Sequence, residues 1–377
     1  CIHHNYPCCG ADSYKLCNMG KENKTCNTVS RDSSLDWIAG VLITVAIFLH
    51  IDEWTGAEWG FWNKVGSVFG FFMPWFFFKS GMFYKETGFK TNDSRIWRSL
   101  GVPFLTFSLF SWFVWLITAI YQHGIDGLLF IIKYSIANIA NYGLLPGNGA
   151  LYFIASLWLC RYLYPRLHKR IRNNYIIAIA AYAVAFAFKC FDTMIIHRYL
   201  VLVVPTAFMG LAYYAIGVQW RDMQYRMPFF IIAVVIYAIA IIFKAREVSF
   251  YVAGINDSFA IWATYPIVAL ASIVAWNNLA RYIPDRLLRI VDLGDIGRNS
   301  MSYYCIHLII INLDFFLFKY FGCTLFGLPL IWSYVVSCVV ILPVADILLR
   351  RYLPWAVGVK GRVRRGVECG AATDPLP

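Results

Sequence analysis

The chain is dominated by long apolar runs, most close to the roughly 20 residues that a helix needs to cross a bilayer. Short polar segments rich in Lys and Arg separate them. Ten such runs are legible: 36–52, 66–84, 99–121, 149–164, 174–190, 198–218, 228–243, 259–276, 298–318 and 327–349. The stretch 127–143 is apolar but interrupted by Lys133, Asn138 and Asn141, and reads as interfacial or re-entrant. The 377 residues are 60% hydrophobic and 14% charged, against about 45–50% and about 25% in soluble domains. A soluble protein this apolar could not cover its own surface, whereas in a bilayer its apolar side chains face lipid and one another. The expected fold class is therefore all-α: a polytopic transmembrane helical bundle of about ten spans.

Charge placement orients the bundle. Lys and Arg concentrate in alternate loops (Lys85, Lys90, Arg95, Arg98; Arg161, Arg166, Lys169, Arg170, Arg172; Arg221, Arg226; Arg281, Arg286, Arg289, Arg298) and in the segment after 349. The intervening loops hold few cations, and the first carries Asp52, Glu53 and Glu58. By the positive-inside rule both termini are expected in the cytoplasm, which requires an even number of spans. The net charge of +12 is explained by this pattern, so no nucleic-acid partner is expected.

Five of the 11 cysteines (Cys1, Cys8, Cys9, Cys17, Cys26) fall in a polar N-terminal stretch with His3 and His4. The spacing matches no zinc pattern, and a cytoplasmic location disfavours disulfides. Residues 1–30 are thus expected to be a disordered tail or a remnant foreign to the native protein. No apolar run precedes Asp36 to serve as a signal peptide. Residues 31–352 form the membrane domain, and 353–377 a basic tail that frays on the membrane surface. No metal site is expected.

Ionisable groups inside a span are costly and point to function. In the first run Asp36 and His50 fall within about 40° of each other on a helix, on a stripe about 21 Å long that also holds position 39. An imidazole withdrawn from water stays neutral and can take a proton from a hydroxyl nucleophile, which makes His50 a candidate general base; an interfacial histidine beside Asp52 and Glu53 is the alternative. In the second run Pro74 frees a carbonyl and kinks the helix, and Ser80-Gly81 permits close packing. Arg95 and Arg98 share a face, an arrangement suited to phosphates or to plain topogenic charge. His307 and Asp314 share a face of the ninth run, as a structural or a catalytic polar pair.

Together these segments resemble the acyltransferase 3 family, in particular its members similar to fucose O-acetyltransferases. The family's first helix reads Asp-x-Leu-Lys/Arg-Gly, then apolar residues, then His, matched by Asp36, Gly40 and His50. Its Met-Pro-Leu-Phe-Phe-Phe-x-Ser-Gly element is matched from Met73-Pro74 to Ser80-Gly81, its Arg-x-x-Arg by Arg95 and Arg98 followed by Pro103, and its fourth-span motif by Leu151-Tyr-Phe-Ile154. A late Gly-Lys-x-Ser…His element is matched by Gly297, Arg298, Ser300 and His307. The resemblance runs from Arg31 to about Arg351.

The resemblance implies O-acylation: transfer of an acyl group, by family habit acetyl from cytoplasmic acyl-CoA, to a hydroxyl of an envelope carbohydrate or glycolipid. The protein would sit in the cell membrane, the inner membrane in a bacterium. Catalytic roles are implied for His50 and Asp36, and donor binding for Arg95 and Arg98; Lys79, where the family usually has an apolar residue, is a further donor-site candidate, Ser80 and His307 are further site candidates, and Ser80, Tyr84 or freed amides are candidate oxyanion donors. The family's cation at position 39 is replaced by Ala39, and Lys79, at a similar depth on the neighbouring helix, could supply the charge or merely snorkel. A carrier or flippase for a polar or lipid-linked substrate, and an inactive paralogue, are the alternatives.

Overall fold

A computed structural model describes residues 32–54, 60–124, 127–192, 202–243, 259–284, 293–320 and 328–359. The cysteine-rich stretch and the end of the tail lie outside them. All regular structure among the described residues is helical: α1 (Ser33–Trp54), α2 (Phe61–Phe69), α3 (Phe72–Met82), α4 (Phe89–Ile96), α5 (Val102–His123), α6 (Leu128–Tyr142), α7 (Tyr152–Ile171), α8 (Asn174–Asp192), α9 (Val203–Trp220), α10 (Met227–Ile242), α11 (Phe259–Leu279), α12 (Leu293–Arg298), α13 (Ser300–Tyr320) and α14 (Leu328–Tyr352).

Among the described residues, five helical stretches are long and apolar enough to cross a membrane: Ser33–Trp54, Phe89–Gln122, Phe259–Tyr282, Ser300–Phe318 and Leu330–Tyr352. Each of the other expected runs contains a helix as well. Asn174–Phe188 and Met227–Ile242 are apolar but shorter, and the run 66–84 is divided between α2 and α3. Large apolar side chains lie exposed at helical spacing, as in Leu105, Leu109, Phe113 and Ile117 of α5 and Ile232, Val235, Ile239 and Ile242 of α10. Continuous apolar stripes of this kind suit lipid rather than water.

The division at α2–α3 follows from Pro74. Without an N–H, it cannot bond the carbonyl of Gly70. The Tyr265 hydroxyl donates to that oxygen instead, at 2.9 Å, and the Tyr237 hydroxyl to the Val68 carbonyl at 2.9 Å. Pro266 repeats the device inside α11, where the carbonyl four residues back, on Trp262, accepts the Tyr182 hydroxyl at 2.8 Å. Pro103 acts differently. Its ring would collide with the carbonyl of Ser99, and the preceding Trp97–Gly101 widens into a π turn in which the Val102 N–H reaches back to Trp97 O. Arg98 lies in that turn.

α1 occupies the centre: 67% of its spanning window is buried, against 33% for α14 on the periphery. It is apolar on every side, as a surrounded helix must be. Its crossing with α12 is backbone against backbone. A Cβ on Gly40 would meet Leu293 O at 1.9 Å, and one on Gly297 would meet Asp36 O at 1.7 Å. α3 and α9 touch in the same way, with Gly81 against Tyr214 O and Gly217 against Phe78 O, at 2.1 and 2.2 Å from an added Cβ. The Ser80-Gly81 pair therefore permits close packing, through Gly81.

Residues 354–358 differ from the expected frayed tail. Pro354–Val357 form a 3-10 turn with Ala356 and Val357 buried, and Gly358, in a left-handed conformation (φ 73°), lies over the backbone of Arg98 and Ser99. Burial of these small apolar side chains holds the segment on the start of α5. The ordered domain therefore extends past residue 352.

Because no side chain can yield at a backbone crossing, Gly40→Ala and Gly297→Ala should each cost at least the roughly 1–3 kcal/mol of an overpacked core. Gly294→Ala, which meets nothing within 4 Å, should be nearly silent. Melting of the three variants in detergent checks this, with equal melting temperatures as the contrary result.

Candidate functional site

His50 closes the last turn of α1 and lines a cavity of about 690 Å³. The walls come from α3 (Phe72, Met73), α5 (Trp115), α6 (Tyr134, Asn138, Tyr142), the loop 143–151, Tyr152 and α13 (Tyr304, Leu308). The loop is pinned to α13. Asn148 Nδ2 donates to Cys305 O at 2.9 Å, Asn312 Nδ2 to Gly147 O at 2.7 Å, and the Tyr304 hydroxyl to Ala150 O. A neighbouring cavity of about 350 Å³ shares Trp54, Trp115, Gly147, Gly149 and Leu308 with the first.

The His50 ring is oriented. Its Nδ1 lies 2.8 Å from Glu53 Oε2, three residues on. A carboxylate accepts, so Nδ1 carries the hydrogen and Nε2 keeps its lone pair. The His307 ring lies 5.2 Å away, centroid to centroid, at 32°. His307 is fully buried, with Nδ1 2.8 Å from Tyr304 O; the same argument leaves its Nε2 as an acceptor. That atom has no hydrogen-bond partner among the described residues. Two imidazoles, each with Nδ1 hydrogen-bonded and Nε2 left as an acceptor, stand together at the end of α1.

Asp36 is not with them. It lies about 21 Å away along α1, 3% exposed, with its carboxylate 3.6 Å from Lys79 Nζ and 3.9 Å from Arg298 Nε. The grouping of Asp36 with His50 rested on a shared helical stripe, but the two side chains meet different neighbours. Lys79 also donates to Leu35 O at 3.2 Å and stands 4.9 Å over the Trp75 ring, a favourable cation–π distance. It thus comes from α3 to the first turns of α1, beside the buried Ala39. The polar cluster continues outward: Arg350 pairs with the buried Asp346 and, at 3.8 Å, with Asp295, while the Ser302 hydroxyl donates to Asp346.

Ser80 is half-buried at the Lys79 end of α3, about 10 Å along that helix from the cavity-lining Met73. Tyr84 belongs to an aromatic cluster with Tyr164 and Tyr214, at ring distances of 5.0 and 6.3 Å. Neither lines the His50 cavity, so neither can reach an oxyanion formed beside His50. Asp314 faces Ser337 of α14 rather than His307. Arg95 and Arg98 are exposed at the Lys79 end, with no carboxylate partner among the described residues.

Outside the spans, two carboxylates anchor the basic end. Arg166 pairs with Asp93 at 2.7 Å, and hydrogen bonding to that carboxylate pushes the guanidinium further up from its ordinary pKa. Burial works to raise the Asp32 carboxyl, but hydrogen bonds from Ser34 and Arg281 outweigh it and hold the group below its usual range.

Sequence reasoning took Glu53 only as a flanking acid, although its i+3 spacing from His50 was a readable signal. It noted Asn138 as a polar interruption without assigning it to a cavity. The aromatic walls carried no separate signal in so aromatic a chain.

The acyltransferase domain that defines the acyltransferase 3 family matches residues 32–350. No curated protein and no solved structure is significantly similar. The match covers most of the chain and includes every element just described, from the Asp36 cluster to Arg350. With its apolar helices of spanning length, the chain belongs to the acyltransferase 3 family as a membrane acyltransferase.

Proposed function

We propose that the protein is an integral membrane O-acyltransferase that transfers an acyl group, acetyl by preference, from cytoplasmic acyl-CoA to a hydroxyl of an envelope carbohydrate or glycolipid. The observation that carries this reading is His50: a histidine with Nδ1 held by Glu53 and Nε2 left as an acceptor, in the wall of a cavity of about 690 Å³. In this reading the chain crosses the membrane ten times with both termini in the cytoplasm. The Arg95–Arg98 end then meets the donor, and the His50 cavity receives the acceptor.

The chemistry is a balanced acyl transfer. The acceptor hydroxyl donates to His50 Nε2, loses its proton there as its oxygen bonds to the thioester carbon, and the resulting imidazolium is stabilised by the Glu53 carboxylate. Collapse breaks the carbon–sulfur bond, and His50 returns the proton to the departing thiolate. The buried His307 ring packs against the His50 ring from α13, at 5.2 Å between centroids, and holds it in place. For the oxyanion we assign the amides of Gly149 and Ala150. They open the turn before α7, where N–H groups have no intrahelical acceptor, and they line the cavity. The aromatic walls suit the apolar faces of a sugar ring, with Asn138 among them.

The donor must span the distance between the two ends. About 21 Å separates Asp36 from His50 along α1, which calls for phosphates anchored at the basic end and a slim arm carrying the thioester inward. Coenzyme A has that form. The contact of Lys79 with Asp36 supports a positive charge on the donor side of the passage where Ala39 supplies none.

Purified protein incubated with radiolabelled acetyl-CoA and envelope glycans should transfer label. His50→Ala should lower the rate by about 10²–10⁴-fold, the usual worth of a general base, and Glu53→Gln by a smaller factor. Transfer that survives His50→Ala removes the proposed base, and no transfer with any acyl-CoA is the outcome a carrier would give. Lys79→Leu should lower transfer tenfold or more, and adding Ala39→Lys should restore much of it. Full activity in Lys79→Leu alone would mean that Lys79 only packs.

A further inference from the structure

A third arginine stands beside the exposed pair. α4 runs antiparallel to α7 and is held to it at two crossings, Asp93 with Arg166 at 2.7 Å and Trp97 with Trp158 at 5.6 Å between rings. Arg95 on one helix and Arg161 on the other lie between these crossings, at one level. Arg161 is half-buried. The neighbouring groups that act on it are Tyr214, Cys160 and Arg95, so the one charged side chain among them has its own sign.

Other arginines at this end are differently provided. Arg166, Arg281, Arg298 and Arg350 each reach a carboxylate, on Asp93, Asp32, Asp36 and Asp346 respectively. Arg161 has neither a carboxylate nor a hydrogen-bond partner among the described residues. Withdrawing a guanidinium from water without a counter-charge is costly, and a second guanidinium nearby adds to the cost. A bound anion would remove both penalties, and phosphate fits the planar fork in pairs of parallel hydrogen bonds.

We propose that Arg161 and Arg95 together form a clamp for one phosphate group of the acyl donor. Arg161 closes the site from the α7 side, and Arg95 on α4 closes it from the other. The assignment rests on the donor reading given above. An anionic lipid headgroup presents the same chemistry, and the measurement has to separate the two.

The test is coenzyme A binding to the full chain in nanodiscs of zwitterionic lipid, with pantetheine as the phosphate-free probe. Arg161→Gln and Arg95→Gln should each weaken coenzyme A binding tenfold or more. The double variant should lose less than the product of the two, because both side chains would hold one phosphate. Pantetheine should bind all forms equally. Arg161→Lys, which keeps the charge and loses the fork, covers the case in which the neutral variant fails to fold; it should weaken coenzyme A binding several-fold. Phosphatidylglycerol added to the nanodiscs should leave coenzyme A affinity unchanged.

Wild-type affinity in the Arg161 variants, with Arg95→Gln impaired, overturns the clamp and leaves the donor reading standing. Absence of coenzyme A binding to the unmodified protein overturns both. Competition by phosphatidylglycerol that disappears in Arg161→Gln, without a change in coenzyme A affinity, assigns the site to lipid and overturns the proposal.

Discussion

The close crossing of α1 with α12 is the constraint on which the site depends. Two glycines, Gly40 and Gly297, bring the helix backbones into contact, and nothing larger than hydrogen fits between them. The crossing seats Arg298 beside Asp36 and starts α13 alongside α1. From there α13 carries His307 to His50. A wider crossing would separate the carboxylate from its cation and the two imidazoles from each other. Helices in lipid gain no hydrophobic advantage from meeting, so close backbone approach and buried polar contacts have to hold them.

Those polar contacts follow a common logic. A proline in a helix strips a carbonyl of its partner, and in a bilayer no water replaces it. Tyr265 and Tyr182 place hydroxyls on the carbonyls freed by Pro74 and Pro266. Trp75, Asn277 and Gln224 form a chain at 2.8 and 2.9 Å that binds α3 to α11 and to the turn after α9. His307 Nε2 is one of several buried polar atoms among the described residues that have no hydrogen-bond partner, as are Ser108 Oγ and Ser111 Oγ, and at the other end Arg161 reaches no carboxylate.

Much of this was readable beforehand. Every apolar run proved to contain a helix, because apolar length and spacing leave the backbone few other choices. His50, Arg95 and Arg98 stood out through residue type at fixed spacing, and Gly40 and Gly297 through the family's motifs. Lys79 could be placed near the first turns of α1 by counting from helix ends, and its contact with Asp36 agrees. Helical phase fixes a shared stripe but no neighbours. Asp36 and His50 share a stripe, yet a stripe 21 Å long passes several neighbours, and the two residues meet different ones. The segment after residue 352 reads as a basic tail, although Ala356 and Val357 are small enough to settle against α5.

By itself the sequence determined a helical membrane protein and its family, and it set His50, Arg95 and Arg98 at fixed spacings within their segments. These depend on composition and on spacing within single segments. Tertiary structure alone decided that His307 joins His50, that α6 and the loop 143–151 wall the cavity, and that Arg161 lies without a counter-charge beside Arg95. Each of these is a meeting of side chains whose partners are chosen by helix rotation and crossing, and neither is encoded in the periodicity of one helix. The carboxylate of Asp36 shows the difference most plainly: its place on α1 was legible, and the two cations it meets come from α3 and α12.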